Sequence, residues 1–334
     1  MKKVNFFAVM IVALFATMGT LEAQEKYAII IGGNMNPGSN IPAAEQWNGG
    51  QNPGPYGFDE IWNDLYLAWE MLISEDFGKG YDVDNVHVLF GDYPTQDFTF
   101  YGQANRYKAL YNNELNVVDE DAKQSTIVSK FNQLASTITE DDFLFVWIMG
   151  HGGSDATGHY FYSYDNQKIY DYELADLLNG TAAHKKTVFL SFPKSGGFIP
   201  ELEAGGNIII SACGELEGAS RADDVAPNMP YFEENEVLNN ITYNHGEVNY
   251  HLTSSLTGFT PKGAVQYAGI DLDLADLNSD NYIAINETWS WASSKETLYD
   301  ESPVLSDFGN IKSSTELTYP TLLCSVIPNG TTAT

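Results

Sequence analysis

Basic residues and cysteines are scarce in this 334-residue chain. Lys and Arg together number 16 against 45 Asp and Glu, for a formal net charge of −29. Arg106 and Arg221 are the only arginines. A surface this acidic repels nucleic acid and anionic membranes, and it suits cationic partners or metal ions. The same charge also serves solubility outside a cell. Two cysteines, Cys213 and Cys324, allow one bridge at most and cannot form a disulfide framework. Beyond the first residues no apolar run is long enough to span a membrane, so stable insertion is not expected. The chain has no internal repeat and no low-complexity linker.

The N-terminus carries an address. Lys2 and Lys3 precede an uncharged apolar core from Phe6 to Met18, and Leu21-Glu22-Ala23 supplies a small residue for cleavage. The core is shorter than the roughly 20 residues of a spanning helix. Residues 1–23 therefore read as a secretory signal peptide, and the mature chain as exported, to the periplasm or the exterior in a bacterium.

Five short apolar runs follow: Tyr27–Ile31, Val86–Phe90, Phe143–Ile148, Thr187–Phe192 and Asn207–Ser211. Most are continuously apolar, as in strands buried on both faces of a parallel sheet. Helical spacing marks Phe58–Phe77, through Phe58, Ile61, Trp62, Leu65, Trp69 and Leu72, and also Ser125–Ile138 and Tyr170–Leu178. The alternation predicts an α/β three-layer sandwich with a mostly parallel sheet flanked by helices. Sites in such sheets form beyond the carboxyl ends of the strands. Three loops follow strands and should gather at that rim: 32–57, 93–121 and 214–236.

Two of the strand ends carry chemistry. Met149-Gly150-His151-Gly152-Gly153 exposes a histidine between glycines. Gly152 can bring its N–H close to a substrate oxygen, and His151 can serve as a general base if a neighbouring strand end offers a nucleophile. The next strand continues as Phe192-Pro193-Lys194-Ser195-Gly196-Gly197.

The order "DNVHVLFGD", "DDFLFVWIMGHGG", "TVFLSFPKSGGF", "NIIISACGELEGAS" resembles that of the legumain/caspase-like cysteine peptidases over most of residues 27–220. The resemblance implies the caspase–haemoglobinase fold. It matches His151 to the catalytic histidine, Gly152 to the glycine beside it and Ser195-Gly196 to the Ser-Gly after the nucleophile. The nucleophile's own position, two before Ser195, is held by Pro193. Proline has no thiol and no backbone N–H. One residue thus removes the nucleophile and an oxyanion donor, the latter alone worth about two to three orders of magnitude in rate in other enzymes.

Cys213, after the fifth strand, is the alternative nucleophile. The fourth strand should lie between it and His151, two strand spacings of about 4.7–4.9 Å each. A small buried hydrophobe is the competing role for that thiol. Ser191 and Ser195 are weaker candidates, and Lys194 is expected to point to the face opposite Ser195. Glu215, Glu217, Asp223 and Asp224 would edge a specificity pocket on the family's pattern, or form a solvated loop. His245 and His251 lack the i, i+4 spacing of a helical metal pair and read as structural. The tyrosines and tryptophans could bind carbohydrate, but no spacing demands it.

A second motif is "DLNSDNYIAINE", from Asp276 to Glu287. Asp276, Asn278, Asp280, the Tyr282 carbonyl and Glu287 fall at positions 1, 3, 5, 7 and 12 of an EF-hand-like calcium loop. Asn281 replaces the glycine at position 6 and tolerates the left-handed turn better than most residues. The expectation is a structural calcium ion, followed by a helix over "ETWSWASSKE".

The sequence therefore predicts a signal peptide (1–23), a peptidase-like domain (24–260), a C-terminal segment holding loop 276–287 and packed on the same domain (261–318), and a tail or edge strand (319–334). The leading function is a catalytically degenerate peptidase-fold protein that binds peptides or a protein partner. The alternatives are an active cysteine endopeptidase using Cys213 with His151, and a calcium-stabilised extracellular structural or adhesive module.

Overall fold

The computed structural model describes residues 24–33, 59–73, 79–91, 117–219, 236–238, 241–243, 245–257, 259–262, 266–269, 276–279, 283–296 and 301–307. Residues 1–23, expected to be a signal peptide, most of loops 32–57, 93–121 and 214–236, Asp280, Tyr282 and the tail 319–334 lie outside them.

The five apolar runs form five parallel strands: β1 (Lys26–Gly32), β2 (Val86–Phe90), β3 (Phe143–Met149), β7 (Lys185–Ser191) and β8 (Ile208–Ser211). A sixth, β13 (Val304–Asp307), pairs antiparallel with β8 and places C-terminal residues on the same sheet. The order is β13-β8-β7-β3-β1-β2. The chain steps from β1 to β2 on one side, then returns to β3 on the other. This reversal at β1 is a topological switch point, where the crossovers diverge and leave a crevice at the carboxyl ends.

Continuous apolarity follows from burial on both faces. In β1 and β3, Ala28, Ile30, Phe143, Phe145, Trp147 and Met149 pack with α1 (Asp59–Ile73), α5 (Glu247–Thr257) and α6 (Ile285–Lys295). Ile29, Ile31, Leu144, Val146 and Ile148 face the other way, onto α2 (Gln124–Thr137), α3 (Asp171–Asn179) and α4 (Ile199–Ala204). Helices thus cover both faces of the sheet. Trp147, Phe145 and Phe189 meet edge to face, with the Trp147 and Phe189 ring centroids 5.1 Å apart. Such pairs add about 0.5–1.5 kcal/mol each beyond area burial.

Helix α1 departs from an amphipathic stripe. Ile61, Leu65, Trp69 and Leu72 are buried as the spacing predicts, but so are Asn63, Asp64 and Glu70. The helix packs against α5 on the same side of the sheet. Helix α5 begins at Glu247, and His251 lies inside it.

Between β3 and β7 lies a three-stranded antiparallel sheet that periodicity did not reveal: β4 (Gly152–Ser154), β5 (His159–Tyr162) and β6 (Lys168–Tyr170). Two short antiparallel pairs complete the described strands, β9 (Glu236–Leu238) with β10 (Ile241–Tyr243) and β11 (Phe259–Lys262) with β12 (Gln266–Gly269).

Candidate functional site

Register aligns the strand ends. Gly32 pairs with Met149, Met149 with Ser191, and Leu190 with Ser211. His151, Pro193 and Ala212 consequently line one cleft of about 140 Å³, together with Asp64, Asn249 and Glu301. The sheet brings together the two strand ends singled out from sequence, with His151 and position 193 on the same cavity.

The turn after β7 is built by packing. The strand ends at Ser191, and Lys194 adopts a left-handed conformation at φ 64°. Lys194 and Ser195 therefore sit in a turn and not on a strand, so the expected alternation of faces does not apply. The Lys194 N–H donates to the Glu217 carbonyl at 2.9 Å, and its Nζ donates to Ser154 Oγ at 3.0 Å. Ser195 is buried, with its Oγ 3.1 Å from Ser211 Oγ. A Cβ on Gly196 would come 2.7 Å from the Cys213 carbonyl oxygen and 2.8 Å from the Glu215 nitrogen. A Cβ on Gly152 would meet Phe192 Cδ2 at 2.4 Å and the Pro193 carbonyl oxygen at 2.7 Å. Both glycines are required by close approach, whatever chemistry the cleft performs.

Cys213 lies beneath this turn and not in the cleft. It is 0% exposed, its Sγ is 3.4 Å from the Phe192 carbonyl oxygen and 3.5 Å from Ser195 Oγ, and burial pushes its thiol up. A reactive thiol needs access and a lowered pKa; this one has neither. Strand β7 separates it from β3, as the element order predicted. Cys324 is outside the described residues.

The floor of the cleft holds a polar chain that sequence reasoning missed. Asp64, on α1, accepts from His245 Nδ1 at 2.8 Å, from the Gly246 N–H at 2.9 Å and from Asn249 Nδ2 at 2.7 Å. Facing a carboxylate, Nδ1 is the nitrogen that carries the imidazole proton. Asn249 Oδ1 accepts from Ser191 Oγ, which in turn accepts from Trp147 Nε1 at 3.0 Å. The chain runs from α1 through α5 to the ends of β7 and β3. Ser191 is engaged at both its donor and an acceptor site, which suits bracing more than nucleophilic attack. One sequence signal pointed here: Asp64 lies three residues after Ile61 and next to Leu65, within the apolar stripe.

Glu217 does not face the cleft as an edge charge. Its carboxylate accepts from the Gly214 and Ser302 N–H groups at 2.7 and 3.0 Å and ties the loop after β8 to the segment before β13. Asp223 and Asp224 are outside the described residues.

At the C-terminal motif, Glu287 and Asp276 are buried. Glu287 accepts from the Asn278 N–H at 3.1 Å and the Ala284 N–H at 2.8 Å. Glu287, in the first turn of α6, is thereby held to the start of the twelve-residue loop, and α6 begins at Ile285, two residues before the predicted helix. Among the described residues no group of three or more His, Cys, Asp or Glu is placed to hold a metal, and Asp280 and Tyr282 are not among them. No helix of the described residues is long and apolar enough to cross a membrane.

No protein-family model matches the chain, and no curated protein does. The crystal structure of protein GSU0716 from Geobacter sulfurreducens is similar to it at 10% sequence identity and a TM-score of 0.42, over 85% of this chain and 94% of that one. A likeness of that degree carries no argument about the cleft.

Proposed function

We propose that the protein binds a peptide or protein partner in this cleft as a catalytically degenerate relative of the legumain/caspase-like cysteine peptidases. The observation that carries this reading is Pro193 on the cleft wall with His151. The residue at the nucleophile's position has no thiol to ionise and no N–H to hold an oxyanion. The surrounding turn is retained by packing at Gly152, Ser195 and Gly196, so the cavity persists without the reaction. The buried state of Cys213 argues against the endopeptidase alternative.

The test uses electrophilic, thiol-reactive peptide probes with varied side chains, read by intact mass. The chain itself should remain unlabelled. Pro193→Cys should become labelled, and adding His151→Ala should abolish that labelling. Labelling of the unmodified chain at Cys213 that depends on His151 would instead establish the active peptidase. A folded Pro193→Cys variant that no probe labels would remove the peptidase-like reading of the cleft.

We infer also that the 276–287 loop takes a calcium ion. Asp276 and Glu287, one at each end of the loop, would contribute carboxylates, and Asn278 a side-chain oxygen. The closure of the loop through Glu287 supports this, and the ion's role would be structural. Export by the N-terminal signal completes the proposal.

A further inference from the structure

The small sheet β4-β5-β6 has two unlike faces. Phe161 and Ile169 turn inward and are buried in the core. Alternation then puts Tyr160, Tyr162, Lys168 and Tyr170 on the outer face, with Tyr160 paired to Tyr170 and Tyr162 to Lys168 across the strands. Tyr172 joins them from the first turn of α3. A solvent-side face normally carries small or charged residues; this one carries exposed Tyr172 and half-buried Tyr162 and Tyr170 around Tyr160, which is itself buried.

Their arrangement is fixed. Tyr160 lies against Gly153, where a Cβ would come 2.8 Å from its hydroxyl and 3.0 Å from Cζ. The Tyr160 and Tyr162 ring centroids are 5.1 Å apart, and those of Tyr160 and Tyr170 are 5.7 Å apart. Tyr170 and Tyr172 stack nearly parallel, at 11° and 5.6 Å, and Tyr172 is 42% exposed. Lys168 Nζ sits 4.0 Å over the Tyr160 ring. Asp155 accepts from Lys168 Nζ at 2.6 Å and from the Tyr170 hydroxyl at 3.1 Å. Holding aromatic side chains in place before a ligand arrives lowers the entropic cost of binding.

Charge selects the ligand class. Lys168 and Asp155 cancel at the centre of the face, while Asp171 and Glu173 flank Tyr172, so the edge of the face is acidic, like the chain of net charge −29 as a whole. A second copy of the chain or any polyanion would meet like charge elsewhere on the surface. A proline-rich segment brings few N–H donors to a face whose fixed charged acceptor is Asp155. A neutral sugar chain fits better: its C–H faces stack on rings, and its hydroxyls both donate and accept. We propose that this face binds a neutral oligosaccharide, stacked on the tyrosines and hydrogen-bonded at Lys168 and Asp155. The site is separate from the cleft, because Gly152, whose Cβ position packs on Phe192 and Pro193, belongs to the opposite face of β4.

The full chain would be titrated calorimetrically with cello-, xylo-, manno- and malto-hexaose. At least one should bind, with an affinity unchanged by added sodium chloride. Tyr172→Ala should weaken that binding at least about tenfold, the effect of losing about 1.4 kcal/mol. Tyr172→Phe, which keeps the ring, should stay within about threefold of the parent, a difference of under about 0.7 kcal/mol. Both changes lie at a half-exposed surface position and should leave the melting temperature alone. Pro193→Cys should leave sugar binding unchanged. The proposal is overturned if none of the four sugars binds, if Tyr172→Ala binds as the parent does, or if a decaproline peptide binds this face in their place.

Discussion

Replacing Asp64 by alanine removes the acceptor on which the cleft floor converges. The carboxylate takes three hydrogen bonds, from His245, Gly246 and Asn249, and all three donors lie in buried or half-buried surroundings. A buried donor stripped of its acceptor costs about 1–3 kcal/mol. Water from the adjacent cleft should relieve part of that for the Gly246 and Asn249 donors, whose residues line it. The His245 imidazole is 0% exposed and has no such relief. Asp64→Ala should therefore lose about 3–5 kcal/mol, a large part of the roughly 5–15 kcal/mol of a typical domain. Asp64→Asn keeps the shape and one acceptor oxygen and should lose about 1–2 kcal/mol. The assay is equilibrium urea unfolding followed by tryptophan fluorescence and far-UV circular dichroism, with coincident transitions required before a two-state fit. A loss below about 1 kcal/mol for Asp64→Ala, at an unchanged denaturant slope, would refute the claim that this network braces the floor.

Burial in β2, assisted by nearby Lys130 and opposed by Glu120, lowers the His87 imidazole to about 4. The unfolded chain takes that proton near pH ~6.5, so its contribution makes stability fall as pH drops from about 6.5 to about 4 and level off below. Solvent screening at this half-buried site holds the effect to roughly 1 kcal/mol. Thermal melts of the parent and His87→Gln across that window should differ by this amount at the acid end and converge near neutrality; parallel curves would refute the assignment. Calcium should raise the melting temperature of the chain and a chelator should reverse it, while Glu287→Gln should show little response. An unmodified chain whose melting temperature ignores calcium would remove the ion from the account.

Much of the sheet could be read in advance because its strands are buried on both faces. Runs such as Phe143–Met149 have no polar side to interrupt them, so apolarity alone marks them. Helices α1, α2 and α3 were marked by the spacing of the residues they bury. The place of Cys213 beyond an intervening strand followed from element order, and the sheet has that order. The three small strands were not legible: they are three or four residues long, and aromatic residues point both inward and outward, which erases the contrast between faces. The apolar run extends to Phe192, one residue past the end of β7, which is why strand alternation misplaces Lys194 and Ser195.

The amino-acid sequence by itself determined the layered α/β class and the acidic charge, and it placed a proline where the family resemblance wants a nucleophile. These depend on residue type and near neighbours. Tertiary structure alone decided that Asp64 would meet His245, 181 residues away, and that Ser191 would join them through Asn249. It likewise turned scattered tyrosines into one face and enclosed Cys213 beneath a turn. Hydrogen bonds and ring contacts depend on separation in space, and the folding of α1 and α5 onto one side of the sheet set those separations.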